Sequence, residues 1–182
     1  MSRRLALVAA PLVVAALVLG GCTPDTRIPA AEPQPTAAPL FASDEEALAA
    51  ATAAYEEYLA VLDELLQDPR PVGSEFDLLA SGEAEATAMQ DVRDFLDGSI
   101  RITAPRVVGS ATLQSNTATA NGAEVIAYFC EDVSDVVVLD ANGRTLTTSD
   151  RPDFSLWEAT VTFDGVGERV TRRDFWSNEE AC

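Results

Sequence analysis

The chain has 182 residues, a formal net charge of −18, no histidine, and arginine as its only cationic residue type. Without histidine there is no Ser-His-Asp or Cys-His dyad and no imidazole metal site, and without lysine there is no Schiff base. A chain this acidic does not neutralise phosphate backbones, which argues against nucleic-acid binding and against docking on anionic lipid headgroups.

At the N-terminus, Ser2-Arg3-Arg4 is a positive n-region, Leu5 to Leu19 an apolar h-region, and Gly20-Gly21 the small residues before a signal-peptide cut. The run is shorter than the roughly 20 residues that a membrane span needs. Leu19-Gly20-Gly21-Cys22 resembles the lipobox of bacterial lipoproteins, which implies removal of residues 1–21 and a diacylated Cys22 as the mature N-terminus. Loss of Arg3 and Arg4 then makes the remaining chain two charges more negative.

Residues 22–42 read as a tether. Pro24, Pro29, Pro33, Pro35 and Pro39 stand among alanine and polar residues with no hydrophobic period. Polyproline II at about 3.1 Å per residue places the following domain up to roughly 60 Å from the lipid surface.

Residues 43–182 read as the head. Ser43 and Glu46 make a capping box. From Leu48 through Ala51, Tyr55, Tyr58, Leu59, Leu62, Leu65 and Leu66, the spacing of three and four predicts an amphipathic helix that Pro69 and Pro71 end. Leu40 and Phe41 are placed to staple onto it. Phe76 to Ala80 suggests a helical turn broken at Ser81-Gly82. Ala88, Met89, Val92, Phe95 and Leu96 then mark a second helix, with Gly98 as its stop signal.

The period then changes to twofold. Strands are predicted at Ile100–Ile102, Arg106–Thr117, Ala123–Glu131, Val136–Leu139, Ser155–Phe163 and Arg169–Trp176. Ala123–Glu131 reads as a central strand buried on both faces. Helices first and an antiparallel meander of about five or six strands afterwards imply an α+β head, with the helices packed on one face of a curved sheet.

The segment Tyr128-Phe129-Cys130-Glu131-Asp132-Val133-Ser134, with Asp140, Asn142-Gly143 and Cys182, resembles actinobacterial surface lipoproteins whose head is similar to the nuclear transport factor 2-like (cystatin-like α+β) cone. That superfamily holds isomerases, dehydratases and cyclases beside domains with no chemistry, so the resemblance does not choose among them.

Three functions are open. The preferred one is a non-catalytic head, anchored through lipid on Cys22 to the extracytoplasmic side of the cell membrane, that meets an envelope protein or other envelope component. The second is a protein that binds a small apolar ligand between helices and sheet, with Tyr55, Tyr58 and Asp132 as candidate lining residues. The third is an isomerase- or dehydratase-like enzyme with Asp132 as base and the tyrosines as donors, the arrangement recorded for ketosteroid isomerase.

No cofactor is expected and no catalytic residue is assigned. Glu131, Asp132 and Asp135 crowd three carboxylates together, but the alternating calcium loop is absent, so no metal is expected. Arg169, Arg172 and Arg173 form a basic cluster on the last strand. Strict alternation puts Arg169 and Arg173 on one face and Arg172 on the other, paired with carboxylates. With Cys22 lipidated, Cys130 and Cys182 are the remaining thiols, and in an oxidising compartment they are expected to join.

Overall fold

The first helix starts from a side-chain cap. In this computed structural model, which describes residues 38–182 other than Glu75 and residues 179–181, Ser43 is extended and its Oγ accepts from the Glu46 amide at 3.2 Å. Glu46 reaches back to the Ala42 amide at 2.8 Å, one residue earlier than a regular capping box. The expected signal peptide, Cys22 and most of the expected tether lie outside the described residues.

Helix α1 follows over Asp44–Gln67. A 3₁₀ turn at Phe76–Leu78 leads to helix α2, Gly82–Gly98. Ser99, not Gly98, takes the left-handed conformation that ends α2, with φ 50°, and its amide bonds back to Leu96. Gly82 does need to be glycine: its φ is +65°, and a Cβ there would lie 3.3 Å from the Thr171 carbonyl oxygen.

Six strands complete the chain: β1 Arg101–Ile102, β2 Val107–Thr119, β3 Gly122–Asp132, β4 Val138–Leu139, β5 Phe154–Asp164 and β6 Gly167–Asn178. Four of them form a curved antiparallel meander in the order β2-β3-β5-β6, and β1 pairs with β4 as a separate two-stranded ribbon. The predicted strands are all present, but in two sheets. The segment between β3 and β5 leaves the meander to reach the end of α2.

Alternation along the meander sorts its side chains into two faces. Ala123, Val125, Ala127, Phe129 and Glu131 of β3 point to the helices and are all buried. Across from them lie Ala159 and Val161 of β5 and Val170 of β6, also buried. Tyr55, Tyr58, Leu59 and Leu62 of α1 and Ala84, Ala88 and Val92 of α2 close the core from above. β3 is therefore not buried on both faces as expected: Glu124 is exposed and Ile126 and Tyr128 half-buried on the other side. Its run of apolar residues there is less buried because, among the described residues, no third layer covers the sheet.

A β-bulge corrects the expected placement of the arginines. Val170 pairs with Val161 and Arg172 with Thr160, so Thr171 is an extra residue in β6. That one residue reverses the alternation before it. Arg169 and Arg172 consequently share the outer face, opposite Thr162 and Thr160, while Arg173 faces inward, opposite Ala159.

On the outer face, Cys130 of β3 is joined to Cys182, with Cα atoms 5.6 Å apart. The disulfide ties the last residue to a central strand, as the thiol count implied.

Candidate functional site

Beneath α1 the core holds a patch of charge. Tyr55 and Asp63, two turns apart on the helix, point inward from the apolar stripe. Glu131 closes the inner face of β3, Arg173 arrives through the bulge in β6, and Arg106 precedes β2. Asp63 is 1 % exposed and Glu131 0 %. Charges this deep are tolerated only when paired and hydrogen-bonded.

The first half of the network is built on Tyr55. Its hydroxyl donates to Glu131 Oε1 at 2.5 Å and accepts from Arg173 Nε at 2.7 Å. Arg173 Nη2 also donates to Glu131 Oε1 at 2.7 Å. The guanidinium carbon lies 3.4 Å from the centre of the Trp157 ring, a cation–π contact in a dry setting. Trp157 is itself oriented by its indole N–H, which donates to Ser155 Oγ at 3.0 Å.

The second half is built on Asp63. Its two oxygens accept from the Arg106 amide and from Arg106 Nε, each at 2.7 Å. Arg106 Nη2 lies 2.6 Å from Asp63 Oδ1 but off the hydrogen-bond line, so that contact is one of charge. The halves meet where Arg106 Nη1 comes within 3.8 Å of Glu131 Oε2, an oxygen with no hydrogen-bond partner.

The electrostatics follow from burial. Burial pushes the Tyr55 hydroxyl well above the ordinary tyrosine range, and Tyr58 is raised for the same reason. Both are neutral at neutral pH. Burial pulls Arg173 down, yet Tyr55 and Glu131 outweigh it and hold the arginine above its ordinary value. Two arginines and two carboxylates balance in formal charge within the patch.

The candidate residues separate into two groups. Tyr55 and Tyr58 are together in the core, with ring centroids 6.1 Å apart, and Tyr55 stacks on Phe129 at 4.0 Å. The Tyr55 hydroxyl is enclosed in the network, not reaching solvent. Asp132 stands elsewhere: next to Glu131 in β3, it points to the opposite face and accepts from the Ser134 amide at 2.9 Å. The Ser134 hydroxyl first, and then that amide, hold its carboxyl below the ordinary range. Asp132 therefore tops a turn, and the three crowded carboxylates do not converge. Among the described residues no group of histidine, cysteine, aspartate or glutamate is arranged to hold a metal.

Sequence reasoning missed Asp63, Arg106 and the inward Arg173 as members of one cluster. Asp63 did leave a signal, because it stands among Leu59, Leu62 and Leu66 on an apolar stripe.

Open space lies outside this patch. A cleft of about 280 Å³ between the end of α2 and the Asp140 turn is lined by Phe95, Leu96, Ile100 and Arg101 among others. A wider groove of about 560 Å³ runs between α1 and β2. Neither is lined by Tyr55, Tyr58 or Asp132. No helix of the described residues is long and apolar enough to cross a membrane.

No family model and no curated protein matches the chain. Among solved structures it is similar to the crystal structure of the intermembrane space region of the chloroplast protein ARC6, at 12 % identity and a TM-score of 0.47, over 72 % of this chain and 97 % of that one. A likeness at that level carries neither a role nor a family to this chain.

Proposed function

We propose that residues 43–182 are the non-catalytic binding head of a lipoprotein anchored through Cys22 to the extracytoplasmic side of the membrane. The observation that carries the non-catalytic part is the closure of the Tyr55–Glu131–Arg173 network. An isomerase or dehydratase of the carboxylate type needs a base and donors facing a space that a substrate can enter. Here the buried carboxylate and the tyrosine hydroxyl bond to each other, and Phe129 stacks against the ring. Asp132, the other candidate base, is a turn residue whose lowered pKa makes it a weak proton acceptor at neutral pH.

The anchor is supported by the lipobox-like Leu19-Gly20-Gly21-Cys22 after a charged and apolar leader. Two or three acyl chains on Cys22 suffice for stable attachment. The order of helices before an antiparallel meander agrees with the head that the lipoprotein resemblance implies.

Mass spectrometry of the mature N-terminus tests the anchor. The expected result is acylated Cys22, and an unmodified terminus elsewhere would overturn it. Asp132→Asn tests the chemistry: turnover of an enolisable or dehydratable compound that vanishes in the variant at unchanged melting temperature would establish an enzyme instead.

A further inference from the structure

The two edges of the meander are finished differently. The β6 edge is covered where the chain enters α2: the Val170 amide donates to the Leu79 carbonyl at 2.9 Å, and the Ser81 amide donates to the Val170 carbonyl at 3.0 Å. β2 has no such cover. Among the described residues its backbone hydrogen bonds run to β3 alone, which leaves the outward amides and carbonyls of a 13-residue strand without protein partners. Such an edge is a template for a further strand.

The space beside it suits one. The groove between α1 and β2 has a volume of about 560 Å³, and half of its lining is small: Ala49 and Ala53 on the helix, Gly109, Ser110 and Ala111 on the strand, beside Leu48, Thr52 and Val108. A Cβ added to Gly109 would find nothing nearer than the Cys130 carbonyl oxygen at 3.8 Å. A new strand lies about 4.8 Å from its neighbour, and small side chains permit that approach. Bulges interrupt β2 between Val108 and Ser110 and between Leu113 and Ser115. They leave two longer regular segments, Ser110–Leu113 and Ser115–Thr119, and the first is the one that borders the groove, long enough for a short peptide.

Charge selects the occupant. Glu45 and Glu56 line the groove. The whole of α1 contains no lysine or arginine, and neither does β2. A second copy of this chain would bring carboxylates against carboxylates. The tether is interrupted by prolines at 24, 29, 33, 35 and 39, which leaves no more than four successive amides between them, so it makes a poor ladder partner.

Resting on the reading of the head as a binding module, we propose that the α1–β2 groove receives an extended basic peptide segment of a partner protein. It adds to β2 at Ser110–Leu113 and places its cations beside Glu45 and Glu56. Main-chain hydrogen bonds hold the segment, and the carboxylates choose its sequence.

The test uses the intact chain in detergent micelles and a blocked fluorescent heptapeptide that alternates arginine with threonine. Anisotropy should report binding that weakens with salt. Affinity should fall at least tenfold when alternate peptide amides are N-methylated, and equally in the double variant Ala49→Arg, Ala53→Arg, whose exposed helix sites leave the melting temperature unchanged. If that variant melts early, Glu45→Gln with Glu56→Gln keeps the shape of the groove and should weaken binding at least threefold. Equal binding of the N-methylated peptide, of a glutamate version, or of the wild-type peptide to the groove variants would overturn the proposal. So would self-association of the chain through β2 in sedimentation. Acylation of Cys22 is read separately, so this inference can fail while the lipoprotein reading stands.

Discussion

Arg173 and Arg144 each hold a carboxylate, one beneath a helix and the other at the tip of a turn. Arg173 and Glu131 have side chains 6 % and 1 % exposed, and their contact is 2.7 Å. Arg144 and Asp140 make a contact of 2.8 Å, but the arginine is 79 % exposed. Distance is nearly the same, so environment decides what each pair contributes. In the core, removing one partner strands the other as an uncompensated buried charge; at the turn, water replaces the lost partner.

The sharpest way to separate the two is Arg173→Met. It leaves Glu131 without its hydrogen-bonded cation, with Arg106 no nearer than 3.8 Å, and the expected loss is about 3–5 kcal/mol in urea unfolding. The double variant Arg173→Met, Glu131→Leu should recover much of this, because the second change removes the stranded charge. A double variant as unstable as the single one would mean that packing around Trp157, not charge, sets the cost.

The outer face of the same strand gives the next effect. Cys130 and Cys182 are 52 positions apart, and the cross-link restricts the unfolded chain. Cys130→Ala with Cys182→Ala should cost roughly 2–4 kcal/mol, with the chain-entropy model near the upper figure. Thiol titration of the unfolded, unreduced chain should find neither cysteine free.

Asp91 lies between the extremes. Half-buried on α2, it has a pKa raised first by burial and then by Asp94, against the pull of Arg173 and Arg106. A carboxyl raised in the folded state favours folding as pH falls and opposes it once ionised. Asp91→Asn should therefore stabilise the chain at neutral pH by a few tenths of a kcal/mol, a figure discounted for its solvent exposure. The variant should also lose some of the gain in stability that wild type shows just above the ordinary aspartate range. An unchanged pH profile would show that Asp91 is fully solvated.

Much of this contrast was legible in the residues and some was not. The Ser43–Glu46 cap, the α1 stripe and the hairpin strands are local patterns, and each stands within a few residues of its expected place. The disulfide followed from counting thiols. The buried network required two facts that local pattern does not carry. The bulge at Thr171 reverses which arginine faces inward, and nothing in a run of alternating residues announces one extra position. Asp63 and Arg106 meet across 43 positions, so the pairing belongs to the tertiary fold. Tyr55 was legible as a core residue, but its hydroxyl partners, Glu131 and Arg173, come from strands far along the chain.

The weakest effect should come from the turn. Asp140 Oδ1 accepts from the amides of Asn142 at 2.8 Å and Arg144 at 2.9 Å, and Arg144 Nε bonds its other oxygen at 2.9 Å. The Arg144 amide contributes first to holding the Asp140 carboxyl below the ordinary range. Because that pKa is depressed, the ionised turn favours folding above the ordinary aspartate value, and the contribution is lost as pH falls through the lowered one. Arg144→Ala keeps the backbone amide and removes only an exposed guanidinium, so the melting temperature should not move at neutral pH. Asp140→Ala removes the acceptor for both amides, and hydrogen exchange at Asn142 and Arg144 should quicken while the core amides of β3 stay protected. Acidification of wild type below the ordinary aspartate range should reproduce that local loss. Should Arg144→Ala instead lower the melting temperature as Arg173→Met does, solvent exposure would not be what separates the two pairs.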